Sequence, residues 1–357
     1  MVNLSATLST LGPFTALVLG DFLIDTYTSG YVKRISPEAP VQVLEVKAQE
    51  SKPGGAGNAA KNMAALGAKV FVIGRKGDDL EGRLLEHELT KGGIDTSGLM
   101  NEPRYKTPVK NRLIAGGQQL LRVDFETIVA LDRSLEPLII QELQAKIPAS
   151  QVVAVSDYGK GFLTPTILQA AIQIAKQAKV PLIVDPKGTD FAKYRGATII
   201  KPNLSEAYAA AKLPSSASLD EVAKILLQMT QVDTLLITRS EEGISLFDSG
   251  GNRTDFPVQS KEVRDVTGAG DTVLATISLA IANGLDMENA MLLANIAAGL
   301  SIERFGCVQI TLPEIAKRLI ESETDAQREN PSLKALLAKA LQKSGAENLI
   351  VTHKPPY

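Results

Sequence analysis

Apolar residues along this chain fall into two kinds of run, and the two kinds alternate. Short runs at 16–20, 69–74, 152–156, 182–185, 198–201 and 234–238 are mostly apolar throughout rather than at every second residue. A strand with one wet face alternates. A strand apolar throughout is buried on both faces, as in a parallel sheet covered by helices. Between these runs lie longer stretches with helical spacing, at 59–66, 80–92, 135–146, 165–178, 204–211, 219–229, 270–283 and 287–304. The alternation predicts an open, doubly wound α/β fold with a mainly parallel sheet. In such sheets ligands bind beyond the carboxyl ends of the strands.

Two stretches break the rhythm. Residues 30–46 and 105–125 read as β-ribbons with no helix following, and polar and apolar residues alternate in them, as in Lys110, Arg112, Ile114 and Leu121, Val123, Phe125. They predict either a small sheet standing off the main one, a lid over about 30–47 and 105–126, or extra edge strands of the main sheet. From about residue 323 the chain is a charged tail, with helical spacing at 333–343 and Pro355-Pro356 near its end. No internal repeat or low-complexity linker divides the rest. The expected organisation is one domain over 1–320, with the lid inserted in it, and a helical, charged tail over 321–357.

Composition narrows the function classes. A chain of 357 residues, 44% of them hydrophobic, can bury the core of one large α/β domain. The net charge is −2, from 38 basic and 40 acidic residues. No global field favours nucleic acid or a membrane surface, so an anionic ligand must be held by local cations. The single cysteine, Cys307, allows no disulfide within the chain and reads as a small buried residue, and the two histidines, His87 and His353, give little basis for a zinc site. No basic region followed by an apolar stretch opens the chain, and no apolar run reaches about 18 residues. The expectation is a cytoplasmic protein without a transmembrane helix.

Asp265-Val-Thr-Gly-Ala-Gly-Asp271 leads into the apolar helix expected from Gly270. Small residues let backbone amides at a helix N-terminus approach a ligand closely, and those amides with the helix dipole suit a phosphate or a developing anion. An aspartate there can accept a proton from an attacking hydroxyl. A plain helix entry, with glycine for the turn and a first-turn carboxylate, needs the same residues. The residues alone leave both readings open. Gly55-Ala-Gly57-Asn-Ala-Ala60 fits a dinucleotide fingerprint, and the strand expected at 69–74 is followed by Arg75. That fingerprint must directly follow a buried strand, and here Gln49-Glu-Ser-Lys-Pro53 intervenes. No G-x-x-x-x-G-K-[ST] run is present.

The run ending in Asp271 resembles the C-terminal signature of the ribokinase-like, PfkB-type carbohydrate kinases. Pro53-Gly54-Gly55-Ala56-Gly57-Asn58 is similar to that family's first signature, and Asn203-Leu-Ser-Glu206 to its Asn-x-x-Glu motif. The resemblance spans roughly residues 17–320 with the motifs in the expected order. Four further strings resemble the heptose 7-phosphate kinases of ADP-heptose synthesis: Arg34-Ile-Ser-Pro-Glu-Ala-Pro-Val41, Leu121-Arg-Val-Asp-Phe-Glu126, Ser156-Asp-Tyr-Gly-Lys-Gly161 and Asp185-Pro-Lys-Gly-Thr-Asp190. Such enzymes phosphorylate the anomeric 1-hydroxyl of D-glycero-β-D-manno-heptose 7-phosphate, on the way to the lipopolysaccharide core.

The resemblance implies roles residue by residue. Asp271 is the base, and the amides of Gly268, Ala269 and Gly270 form the anion hole. Asn203 and Glu206 organise Mg²⁺ and its waters, and Lys187 contacts ATP phosphates. Thr238, Arg239 and Gly243, in Thr238-Arg-Ser-Glu-Glu-Gly243, line the nucleotide, with Ser240 where many relatives have glycine. Asn295 lies by the adenine. The sugar meets Asp25, Gly54, Gly55 and Asn58. A monovalent cation such as K⁺ sits near Asp265 and Thr267. Asp21 and Asp157 are further sugar candidates, with the ordering of a strand-to-loop turn as the alternative. Lys110, Arg112 and Arg122 alternate on the ribbons and are candidates for the sugar phosphate, or else form a solvated edge.

Two rival readings remain: a kinase for another sugar, such as fructose or ribose, and a non-catalytic sugar or nucleotide sensor. A sensor has no need of Asp271, which this chain keeps beside Asn203 and Glu206. The resemblance also implies a homodimer formed through the lid. Bifunctional relatives carry a cytidylyltransferase with a His-x-Gly-His site, and only His353 follows residue 320 here. The expectation is that a separate cytidylyltransferase acts later in the route.

Overall fold

Leu17 and Leu19 point to one side of the first strand, Ala16 and Val18 to the other, and all four are fully buried. The structure, a computed structural model, describes residues 8, 11–258 and 263–326. In chain order, β1 (Phe14–Gly20) leads to β2 (Phe22–Ile35), β3 (Gln42–Gly55), α1 (Ala56–Ala65), β4 (Ala68–Lys76), α2 (Leu80–Lys91) and β5 (Asp95–Asn101). Then come β6 (Val109–Ala115), β7 (Gln118–Phe125), α3 (Glu136–Lys146), β8 (Val152–Ser156), α4 (Pro165–Ala178), β9 (Leu182–Asp185) and β10 (Ile199–Ile200). The chain continues through α5 (Leu204–Ala211), α6 (Leu219–Thr230), β11 (Thr234–Thr238), β12 (Ile244–Asp248), β13 (Arg253–Phe256), α7 (Ala269–Ala282), α8 (Met287–Ile302) and α9 (Leu312–Ala326).

Nine strands form the main sheet, in the order β13-β12-β11-β10-β9-β8-β1-β4-β5. It is parallel from β11 through β5, and β12 and β13 close one end as an antiparallel hairpin. Helices α1, α2, α7, α8 and α9 pack on one face and α3, α4, α5 and α6 on the other, giving two apolar layers. Strand order reverses at β1, which lies between β8 and β4. The carboxyl ends of β1 and β8 are therefore the switch point, where such sheets leave a crevice. No helix among the described residues is long and apolar enough to cross a membrane.

The ribbons form their own sheet, in the order β3-β2-β6-β7, rather than edges of the main one. They begin earlier than the polar–apolar pattern suggests. β2 starts at Phe22 and pairs antiparallel with β3 as far as Gly55. Residues 49–53 thus belong to a strand that runs into Gly54 and Gly55, but most of that strand is unburied, so no buried strand leads into the fingerprint. It is a strand of the small sheet and not of the parallel one, so the dinucleotide arrangement is still not formed. β10 is only two residues long, and just past it the Lys201 amide still donates to Val184 of β9 while its side chain reaches Asp185. The domain end expected at residue 320 falls inside α9. The tail helix expected at 333–343 lies outside the described residues.

Candidate active site

Gly268 caps the start of α7 with φ 80°, and a Cβ there would lie 2.8 Å from Asn58 Nδ2. Only glycine tolerates both demands. The close approach lets α1 and α7 meet, and it buries Asp271 in the first turn of α7. Asn58 Nδ2 donates to Asp271 Oδ2 at 2.7 Å. The Tyr158 hydroxyl donates to Oδ1 at 3.1 Å and to Oδ2 at 3.3 Å. Burial pushes the Asp271 carboxyl up to about 7 and the Asp185 charge adds to this, while Asn58, Tyr158 and Lys201 pull it down. A buried carboxylate that ionises near neutrality is poised to take a proton.

The amides of Gly268 and Gly270 belong to the same helix start, whose dipole favours an anion. The Ala269 amide, expected to join them, donates instead to the Val266 carbonyl over a long 3.3 Å. Lys201 Nζ donates to Asp185 Oδ1 at 3.0 Å, and both lie beside Gly270, where a Cβ would sit 3.6 Å from that nitrogen and 3.7 Å from Asp185 Oδ2. Burial raises the Asp185 carboxyl, and Lys201 opposes it. Neither residue was expected at the site. The one sequence signal is a lysine and an aspartate closing two apolar runs.

A pocket of about 260 Å³ lies between α7 and the small sheet, and Asp25, Lys110, Arg112, Tyr158, Asp271 and Cys307 help to line it. Asp25 is buried, accepts from the Arg112 guanidinium, and has the Cys307 thiol 3.8 Å from Oδ2. A Cβ at Gly54 would fall 2.1 Å from Asp25 Oδ2, so the missing side chain makes room for this carboxylate. Gly55, at φ 57°, is the N-cap of α1.

Other expected residues lie apart from the pocket. Asp21 accepts from the amides of Tyr158 and Lys160 at 3.0 Å and Phe162 at 3.3 Å. Asp157 accepts from the Gly159 amide, Lys193 Nζ and the Tyr194 hydroxyl. Both carboxylates order the turn after β8, the structural alternative stated for them. Arg122 is turned outward in a two-point contact with Asp124, at 2.8 and 2.9 Å.

The residues expected on the nucleotide side follow one rim that starts at Lys201. Asn203 caps α5, and Oδ1 accepts the Glu206 amide while Glu206 Oε2 accepts the Asn203 amide. Lys187 Nζ donates to Glu206 Oε1 at 2.7 Å. Asn203 forms a bridge with Thr238, which leads through Arg239 to the tight turn at Gly243. Ser240 adopts φ 51° there, a strained choice where glycine is easier. Gly243, at φ 88°, meets the Phe256 carbonyl, to which Asn295 Nδ2 donates at 3.0 Å. Asp265 accepts from the Thr267 amide and hydroxyl and from the Gly306 amide. Burial opposes its charge, but these donors outweigh it and hold the carboxyl below its ordinary value. Among the described residues no group of three or more His, Cys, Asp or Glu could hold a metal ion.

Comparison with known proteins adds the following. The pfkB family carbohydrate kinase model matches residues 15–315. The bifunctional protein HldE of Geobacter sulfurreducens is 40% identical over 355 residues, covering 98% of this chain and 72% of that protein. HldE of Trichlorobacter lovleyi is 42% identical over 335 residues, covering 93% and 68%. Among solved structures, Arabidopsis thaliana ribokinase complexed with ribose and ATP superposes with a TM-score of 0.66 at 19% identity, covering 87% of this chain and 98% of that one. Escherichia coli phosphofructokinase-2 in complex with potassium gives 0.71 at 17% identity, covering 86% and 99%. At such identities the structures speak for the fold alone.

Proposed function

The chain belongs to the pfkB family of carbohydrate kinases, and we propose that its acceptor is D-glycero-β-D-manno-heptose 7-phosphate, phosphorylated at the anomeric 1-hydroxyl to the 1,7-bisphosphate for ADP-heptose and lipopolysaccharide core synthesis. Family membership makes it an ATP-using phosphotransferase that acts on a sugar hydroxyl.

The observation that carries the mechanism is Asp271, buried at the start of α7 and facing the pocket that also holds Asp25. In the proposed reaction the ionised Asp271 takes the hydroxyl proton as the sugar oxygen attacks the γ-phosphorus. The bond from that phosphorus to the ADP oxygen breaks, and ADP leaves. Charge on the transferred group faces the amides of Gly268 and Gly270, and that of Ala269 once its long bond to Val266 gives way. Asn58 and Tyr158 hold the base in line. Asp25, with Gly54 and Gly55 beside it, accepts hydrogen bonds from the sugar.

Asn203, Glu206 and Asp185 offer hard oxygen donors on one rim, which fits Mg²⁺ held partly through water. Bound there, the ion would neutralise phosphate charge. A monovalent cation beside Asp265 would meet the one lone pair that the three donors leave on Oδ2 and would take its other oxygens from backbone carbonyls of that turn.

Two of the heptose-type strings, at 121–126 and 156–161, support the acceptor. They supply Glu126, Tyr158 and Lys160, of which Tyr158 lines the pocket, while the string at 185–190 supplies Asp185 and Lys187 on the nucleotide rim. The string at 34–41 has no residue in the pocket lining. ATP turnover against free heptose, heptose 7-phosphate, ribose and fructose tests the reading. A clear preference for heptose 7-phosphate is expected. Efficient phosphorylation of free ribose or fructose would replace the acceptor while leaving the kinase assignment intact.

A further inference from the structure

At one corner, behind Lys110 at the edge of the pocket, cations outnumber carboxylates: Lys110, Lys160 and Arg122 face Glu126 and Asp124. Lys160 lies between Gly159, at φ 66°, and Gly161, at φ 91°, where a Cβ would strike the Val129 carbonyl at 2.3 Å. Its amide donates to Asp21 Oδ2 at 3.0 Å, and its carbonyl accepts from Arg75 Nη2 at 2.7 Å. Asp21 and Arg75 are both fully enclosed. Two buried charged groups thus fix the backbone of one lysine, and the side chain is held as firmly. Only 8% of it is exposed, and Nζ stands 2.6 Å from Glu126 Oε2. That contact lacks hydrogen-bond geometry, which leaves Glu126 Oε2 buried without a hydrogen-bond donor.

Lys110 reaches the same corner from β6. It forms no ion pair among the described residues, and Nζ lies 5.8 Å from the centre of the Tyr158 ring. Burial, and then the charge of Lys160, hold its ammonium below the ordinary lysine range. The hydroxyl of the same ring bonds Asp271, so the corner is one tyrosine away from the base. The two arginines that shared the candidacy for the sugar phosphate are already engaged, Arg112 by Asp25 and Arg122 by Asp124.

We propose that Lys160 and Lys110 form the seat for a phosphate monoester at the end of the acceptor remote from the reacting hydroxyl, and that the Glu126 carboxylate occupies this seat until the phosphate displaces it. The proposal rests on the reading that the acceptor is a sugar phosphate. Lys110, Lys160 and Arg122 gather here around Glu126 and Asp124, which leaves a net positive, partly buried corner, and a phosphate with two charges and three acceptor oxygens completes it better than a glutamate can. Glu126 follows the last residue of β7, so its release frees a link between the small sheet and the turn after β8.

Removing Lys160 alone would strand a buried carboxylate and endanger the fold. The test therefore uses Lys160→Gln combined with Glu126→Gln, a neutral pair that can still hydrogen-bond, and Glu126→Gln alone. The readout is the ratio of kcat/KM for heptose 7-phosphate to that for free heptose. In the double variant this ratio is expected to fall about tenfold or more, the scale of one charge-assisted hydrogen bond. Glu126→Gln alone is expected to lower KM for the phosphorylated sugar, because it removes a competitor. A merely structural clasp would not do that. If the wild-type enzyme prefers the phosphorylated sugar and the double variant keeps the full preference, the seat is overturned and the acceptor stands. A rise in that KM in Glu126→Gln overturns the displacement. Equal use of both sugars by the wild type overturns the acceptor itself.

Discussion

Asp271 has almost no water to share its charge with, and that sets its chemistry. Burial places its ionisation near 7, so acid should silence the enzyme. A pH profile of kcat/KM is expected to fall about tenfold per unit below about pH 7. The Tyr158 hydroxyl favours the charged form, so Tyr158→Phe should move that limb to higher pH. The same shift acts on stability. The folded chain holds this proton more tightly than the unfolded chain, so the contribution is full below the ordinary carboxyl value and is lost as pH rises through about 7. Asp271→Asn should therefore melt higher than the wild type at pH 8 while losing activity. At Gly54 the constraint is space. Gly54→Ala puts a Cβ where Asp25 Oδ2 now lies. The expected result is a raised KM for the sugar and a loss of about 1–3 kcal/mol in a denaturant titration, the usual cost of overpacking.

At the scale of elements, the strands that were legible are those buried on both faces. Residues 152–156, 182–185 and 234–238 begin and end where the apolar runs do. β13 was not legible, because only Phe256 of its four residues is buried. β5 was hidden by its polar start, Asp95-Thr-Ser. Arg75 read as a residue just past a strand, yet it is among the most enclosed side chains of the chain. It donates to Glu102 Oε2 at 2.5 Å and to the carbonyls of Val129 and Lys160, and its guanidinium lies 3.9 Å from the centre of the Tyr105 ring. These contacts tie the end of β4 to the segment after β5 and to the turn after β8. No local pattern reveals them, since the partners lie 27 to 85 residues away. Arg75→Met leaves Glu102 buried without its cation. It should cost about 3–5 kcal/mol in denaturant unfolding.

For the whole molecule, the signatures around Gly54, Asn203 and Asp271 were legible because each is local. Asn58 meets Asp271 only because α1 packs on α7, 213 residues further along the chain. Tyr158, Lys160, Asp185 and Lys201 escaped notice as site residues because their partners come from other strands. The small sheet leaves Tyr31, Ile35, Val46, Leu121 and Phe125 exposed, more apolar surface than an isolated ribbon usually shows to water. Sedimentation is expected to show a homodimer, and Leu121→Asp with Phe125→Asp a monomer. A wild-type monomer would leave that surface without its expected partner. The proposed chemistry turns on Asp271 as the base. ATP turnover with heptose 7-phosphate should fall at least about 10²-fold in Asp271→Asn, the low end for a positioned general base, and turnover close to wild type would contradict the account.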